Sequence, residues 1–173
     1  MSRYVVLLRA VNVAGKNRIP MAELRAAIEG LGYSDVATYV QSGNIVLSTN
    51  DSPDSIGPSI QECISDQFGL DVTVLIRTAN ELLTIVDNYP YPESLPNQAG
   101  VVFMDNEIDL DDRGGKFKPD RFSIVGPNVY IDCPTGFGKT KLTVKWIERN
   151  SDSSGTRRNW KTVLKLTEML ELH

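Results

Sequence analysis

The sequence predicts an α+β protein in which a ferredoxin-like βαββαβ part over residues 3–77 precedes a smaller α+β part over residues 78–173. Three observations carry this reading. Apolar runs of strand length alternate with stripes of helical period. In the first half their order is strand, helix, two strands, helix, strand. The second half loses that regularity, and its end turns strongly basic. A chain of 173 residues with 41% apolar side chains is close to the size of one compact unit and also accommodates two small subdomains.

The elements follow in order. "YVVLLRAV" is an apolar, β-branched run expected to form a strand buried on both faces, with Arg9 set inside it. "GKNRIPMAELRAAIEGLG" offers Pro20 for a first helical turn, Met21, Leu24, Ile28 and Leu31 as an apolar stripe, and Gly30 and Gly32 as a stop. "VATYVQSGNIVLST" reads as a hairpin around Ser42, Gly43 and Asn44, residue types that accept the positive φ of a tight turn. Ile56, Ile60, Cys63, Ile64 and Phe68 mark a second helix closed by Gly69, and "DVTVLIR" supplies a fourth strand. Beyond it, Thr78 and Glu81 form a capping-box pair ahead of a helix that ends before the proline-rich "NYPYPESLPN". "GVVFMD" reads as a strand and "FSIVGPNVYIDC" as a hairpin. The tail reads as one or two helices, with Trp160, Val163 and Leu164 on the buried stripe of the last.

Composition narrows the function classes. Nothing in the chain is long and apolar enough for a secretory leader or a membrane span, and two thiols, Cys63 and Cys133, fit a reducing cytoplasm. Neither cysteine belongs to a CxxC pair and the one histidine is His173 at the terminus, so a Cys/His metal site is not expected. The acidic "DNEIDLDDRGGKFKPD" lacks the ligand spacing of a calcium loop and reads as a solvated connection. Acid-base histidines, an activated-cysteine setting and a compelling carboxylate pair are all wanting, so an enzyme of unknown reaction ranks last, and no cofactor is expected.

"DCPTGFGKTKLT" resembles a phosphate-binding loop, since Gly138, Lys139 and Thr140 fit G-x-x-x-x-G-K-[ST]. The first glycine of that pattern is Cys133, and the acidic candidate for a magnesium partner, Asp105, precedes the loop. With no strand expected after the loop, a turn between a strand and a cationic helix is the better reading.

Charge is unevenly placed. The net charge is -4, yet residues 139–165 hold eight basic residues against Glu148 and Asp152, a local excess of +6. Such a region can attract phosphate or carboxylate, although solvated helix faces would look the same in sequence.

"LLRAVNVAGKNRIPMAEL", "TYVQSGNIV", "KTKLT" and "TRRNWKTVLKL", in that order, resemble the motifs of the bacterial family catalogued as domain of unknown function 1697. The resemblance implies a ferredoxin-like N-terminal part, a smaller α+β part and no established activity. It places the family's recurring polar positions on Arg9, Asn12, Ser42, Gly43, Asn44, Lys141, Arg158, Asn159 and Trp160. It also marks departures: Ala10 and Ala14 stand where glycine is common, and Arg157 where a small hydroxyl residue is usual. Arg9, Asn12, Lys141, Arg158 and Asn159 are therefore the expected ligand-binding residues, lining one anion-accepting site between the two halves. The expected partner is a small phosphorylated or carboxylated ligand, with nucleic acid along the basic face ranked second.

Overall fold

The computed structural model describes residues 1–171, so His173 lies outside the described residues. The architecture is mixed α+β, with two antiparallel four-stranded sheets and five helices. In chain order these are β1 (Ser2–Leu8), α1 (Met21–Glu29), β2 (Ser34–Tyr39), β3 (Asn44–Thr49), α2 (Pro53–Phe68), β4 (Val74–Thr78) and α3 (Ala79–Asp87). β5 (Ala99–Met104), β6 (Arg121–Val125), β7 (Asn128–Asp132), α4 (Val144–Ser151), β8 (Gly155–Asn159) and α5 (Trp160–Glu171) follow. The chain divides into two compact units, Met1–Leu83 together with the chain from Leu166 on, and Thr84–Lys165; the division points fall inside α3 and α5.

In the first unit the four expected strands share one sheet, ordered β2-β3-β1-β4 with every neighbour antiparallel. The run Val5 to Leu8 is wholly buried, as a central strand covered on both faces should be. α1 begins after Pro20, whose φ of -63° suits the entry to a helix, and α2 ends on left-handed Gly69. Leu24, Ile28, Ile56, Ile60 and Ile64 from these helices meet Val6, Leu8 and Ile45 of the sheet in one cluster. Leu31, expected on the α1 stripe, lies beyond the helix and is exposed, because the helix stops at Glu29. Thr78 and Glu81 cap α3 reciprocally: the Thr78 N–H donates to Glu81 Oε2 at 2.7 Å and the Glu81 N–H to Thr78 Oγ1 at 3.1 Å. The Arg3 guanidinium donates to the carbonyl of Met169 (3.1 Å) and to Ser48 Oγ (3.3 Å), holding the last turn of α5 to the sheet.

The second unit orders its strands β6-β7-β5-β8, again antiparallel throughout. β8 corrects the expectation that only helices follow the 133–143 loop. "GTRRN" offers no apolar pattern, and it becomes a strand by pairing with β5 from Gly100↔Asn159 to Met104↔Gly155. Val102, Met104, Val129, Ile131 and Cys133 on one sheet face pack with Leu142 and Ile147 from the loop and α4. In α5 the buried positions are Thr162, Val163, Leu166, Thr167 and Leu170. Leu164, expected inside, is 44% exposed, because the helix phase places it on the opposite side from Leu166 and Leu170.

The hairpin between β2 and β3 fixes a close approach of chain segments. Gly43 has φ +84°, and a Cβ there would stand 2.7 Å from Leu8 Cβ and 2.8 Å from Val11 Cγ2. Gly43→Ala combines a left-handed penalty with overpacking and is expected to cost about 2 kcal/mol or more in urea denaturation. An unchanged denaturation midpoint would refute this account of the hairpin.

Candidate functional site

Two loops carry most of the expected polar residues, and each is organised by one side chain of its own unit. In the first unit, the chain after β1 makes a small hairpin. Val13 bridges Lys16, the Asn12 N–H donates to Asn17 O at 3.0 Å, and the two turn residues Ala14 and Gly15 both have positive φ, +51° and +75°. Positive φ at both central positions is the type I′ turn, whose backbone twist matches that of the flanking strands. Ala10, Asn12 and Asn17 are left-handed as well. The Asn12 amide locks this conformation. It donates to Ile19 O (3.0 Å) and Gln41 O (2.7 Å), and its Oδ1 accepts from the Ile19 N–H (2.9 Å).

Arg9 lies just past the end of β1 rather than inside it, since Ala10 at φ +58° turns the chain out of the strand. The Arg9 N–H donates to Thr73 O and the side chain is half-buried. Beside the loop, a hollow of about 400 Å³ is lined by Asn12, Gly15, Arg18, Ile19, Pro20 and Gln41. A larger groove of about 480 Å³ runs between α1 and α2, but Glu23 is its one charged lining residue, which suits no anion.

In the second unit the 133–143 loop joins β7 to α4, and its organiser is Asp120. Asp120 ends the acidic connection expected to be solvated, yet it is buried; its carboxylate accepts the Thr140 hydroxyl at 2.6 Å and the Thr135 N–H at 3.0 Å. Thr140 Oγ1 in turn accepts the Leu142 N–H at 3.0 Å, and Thr143 caps α4 by accepting from the Trp146 N–H. A phosphate-binding loop would offer its hydroxyl, its amides and a helix start to the nucleotide. Here the Thr140 hydroxyl and the Thr135 amide serve an internal carboxylate, and α4 starts at Val144, past the Lys139–Thr140 pair. β7 and β8 are also separated by antiparallel β5, so no adjacent parallel strands flank the loop.

Of the expected residues in this unit, Lys141 is exposed on the loop and Asn159 caps α5, its Oδ1 accepting the Thr162 N–H at 2.9 Å. Arg158 is buried in β8, and one of its terminal nitrogens donates to Thr156 Oγ1 (2.5 Å) and Arg157 O (3.0 Å). Burial pushes its pKa down to about 10, which leaves it a cation at neutral pH. Arg157, the next residue back, points to the other face: it stands opposite Val102, whereas Arg158 stands opposite Val101. Val102 belongs to the cluster that also holds Leu142 of the loop, so the arginine sharing the loop's face is Arg157. Its guanidinium lies 4.5 Å above the Phe137 ring. Trp160, expected as a core anchor, is half-buried and stacks on Tyr89 with ring centroids 4.3 Å apart.

The profile of the family described as "Protein of unknown function (DUF1697)" matches residues 1–130. The chain belongs to the DUF1697 family. It is similar in structure to a conserved bacterial protein from Streptococcus pneumoniae, with 24% identity, a TM-score of 0.78, and coverage of 98% of this chain and 99% of that one. At that identity the similarity is one of fold. No curated protein matches the chain.

Ala10 and Ala14 both hold the left-handed conformation that glycine adopts without strain. Ala14→Gly is expected to raise the unfolding free energy by about 0.5–1 kcal/mol in urea denaturation, opposite to the ordinary effect of glycine. A loss of stability would contradict the hairpin geometry. Thr140→Val removes a donor from the buried Asp120 carboxylate and an acceptor from the Leu142 N–H, and should cost about 1–3 kcal/mol, while exposed Lys139→Ala should leave the melting temperature unchanged. ATP or GTP turnover that disappears in Lys139→Ala would overturn the structural reading of this loop.

Proposed function

We propose that the chain is a binding module for a small anionic ligand, phosphorylated or carboxylated, working in a reducing cytoplasm. The observation that carries this reading is that six basic side chains of this stretch meet no carboxylate. Among the described residues, Lys139, Lys141, Lys145, Arg149, Arg157 and Lys161 make no ion pair with a carboxylate, whereas Arg121 has both Glu93 and Asp132. Positive charge left unneutralised on one stretch of an acidic protein is a field into which an anion is drawn. Lys141, exposed on the loop whose sheet face Arg157 shares, is the cation assigned to the ligand. Within the same unit Asn159 sets the start of α5, its Oδ1 accepting the Thr162 N–H.

We also infer that the first unit is a ferredoxin-like split βαβ, supported by its βαββαβ element order and by β3 lying between β1 and β2 in the sheet. The two free, buried thiols fit the cytoplasmic assignment.

Thermal-shift and calorimetric titration against phosphorylated and carboxylated metabolites and short oligonucleotides tests the reading. A small ligand is expected to give saturable, one-to-one stabilisation with modest salt dependence. Exposed Lys141→Ala should weaken it about tenfold, roughly 1.5 kcal/mol, with the unliganded melting temperature unchanged. Oligonucleotide binding that falls steeply with salt, without any response to small anions, would favour nucleic acid instead. Absence of response to every anion would end the proposal.

A further inference from the structure

Arg157 is held in a manner that neither charge count nor fold requires. Its guanidinium is half-buried and stacked on Phe137, and among the described residues it donates to no protein acceptor and pairs with no carboxylate. Arg3 Nε is the buried, unpartnered polar side-chain atom among the described residues, so the unpartnered nitrogens of Arg157 retain access to solvent while its guanidinium carbon lies over the ring. Its titratable neighbour Cys133 supplies no counter-charge: the thiol is fully buried, and burial pushes its pKa up to about 11, which keeps it neutral. Asp120, the carboxylate bound to this loop, is occupied by Thr135 and Thr140.

The platform under the guanidinium is built rather than incidental. Phe137 sits between Gly136 and Gly138 in the loop that Asp120 clamps, and it lies close to the sheet because Gly100 has no side chain. A Cβ at Gly100 would stand 3.2 Å from Phe137 Cζ and 2.8 Å from Arg158 O. Lys139 and Lys141, two and four residues past Phe137, are exposed and unpaired. A planar donor fork thus lies over an aromatic ring, with two exposed cations on the loop that carries the ring.

We propose that Arg157 is the residue that recognises the anion, its free guanidinium edge donating two hydrogen bonds to a phosphate group of a small molecule while Phe137 fixes the plane of the fork. This rests on the small-anion reading above and names the chemistry it selects. Arg157 with Lys139 and Lys141 matches a multiply charged phosphate or diphosphate better than a single carboxylate. Burial lowers the pKa of Arg157, which is the mark of a cation desolvated without compensation, and an incoming dianion provides that compensation.

The test is titration of the full chain with inorganic pyrophosphate at fixed ionic strength, with chloride and a short oligonucleotide as controls, on wild type, Arg157→Met and Arg157→Lys. Pyrophosphate is expected to raise the wild-type melting temperature saturably, and Arg157→Met to lose at least tenfold in affinity. Arg157→Lys should lose most of the response too, since an ammonium cannot reproduce the fork. Unliganded Arg157→Met should melt at or above the wild-type temperature. A wild type that responds to pyrophosphate while Arg157→Met responds equally well overturns the assignment of Arg157 and leaves the anion reading standing. A wild type that responds to no anion beyond chloride overturns both. A preference for the oligonucleotide over pyrophosphate removes the small-molecule ligand. Should Arg157→Met fail to fold, Arg157→Lys decides, and a full response there overturns the proposal.

Discussion

The buried carboxylate of Asp120 is the constraint on which the loop face of the second unit depends. Removing a carboxylate from water is costly unless its oxygens are hydrogen-bonded, and Thr140 and Thr135 meet that need from the far side of a β-turn. The same contact fixes where the loop can go. With Thr140 Oγ1 turned toward Asp120, its remaining lone pair accepts the Leu142 N–H, which sends Leu142 into the cluster with Ile147 and leaves Thr143 at the cap of α4. The Gly136–Phe137–Gly138 crest can then reach the sheet only over Gly100. One side chain outside the loop thereby sets both the helix start and the position of the ring beneath Arg157.

Asn12 has the corresponding part in the first unit, with a neutral amide in place of a carboxylate. Left-handed alanines cost free energy that the hairpin alone does not recover, and such conformations persist only where the surroundings over-determine them. The three hydrogen bonds from Asn12 to Ile19 and Gln41 do this, tying the loop to the entry of α1 and to the β2–β3 turn that Gly43 packs under Leu8. Both loops use a polar side chain as an internal template for backbone, which is also what makes them look like ligand loops in sequence. The phosphate-loop resemblance of "TGFGKT" has this origin: glycines and a threonine donor serve an anion, and the anion is the protein's own.

The parts of the fold legible in sequence are those whose signal is periodic. Strands such as Val5–Leu8 and the Ile56, Ile60, Ile64 stripe bury apolar residues at the spacing of their own backbone, so the pattern and the structure are the same fact. β8 was invisible because its burial comes from β5 beside it and not from its own residues, two of which are arginines. Leu31 and Leu164 were misplaced for a related reason, since phase and helix ends are set by neighbours that periodicity does not see. Of the candidate site, the residue types on the loops were legible. Their partners were not, because Asp120 lies 15 residues before Thr135 and 20 before Thr140.

Arg157 and Arg158 show how far one step along a strand separates two identical side chains. The alternation of β8 sends Arg158 to the face of Val101, where it is buried with its donors directed to Thr156 and to backbone. It sends Arg157 to the loop face, where an aromatic ring replaces the acceptor. A cation over a ring face gains about 0.5–1 kcal/mol at an exposed site and somewhat more when desolvated, which offsets part of the cost of removing a guanidinium from water but does not satisfy its N–H groups. Other arginines of the chain donate to acceptors of the fold, Arg3 to the Met169 carbonyl and Arg121 to the Asp132 carboxylate. The contrast between Arg157, which has a ring and no acceptor, and Arg158, which donates to Thr156 and backbone, is the geometric basis of the recognition role proposed for Arg157.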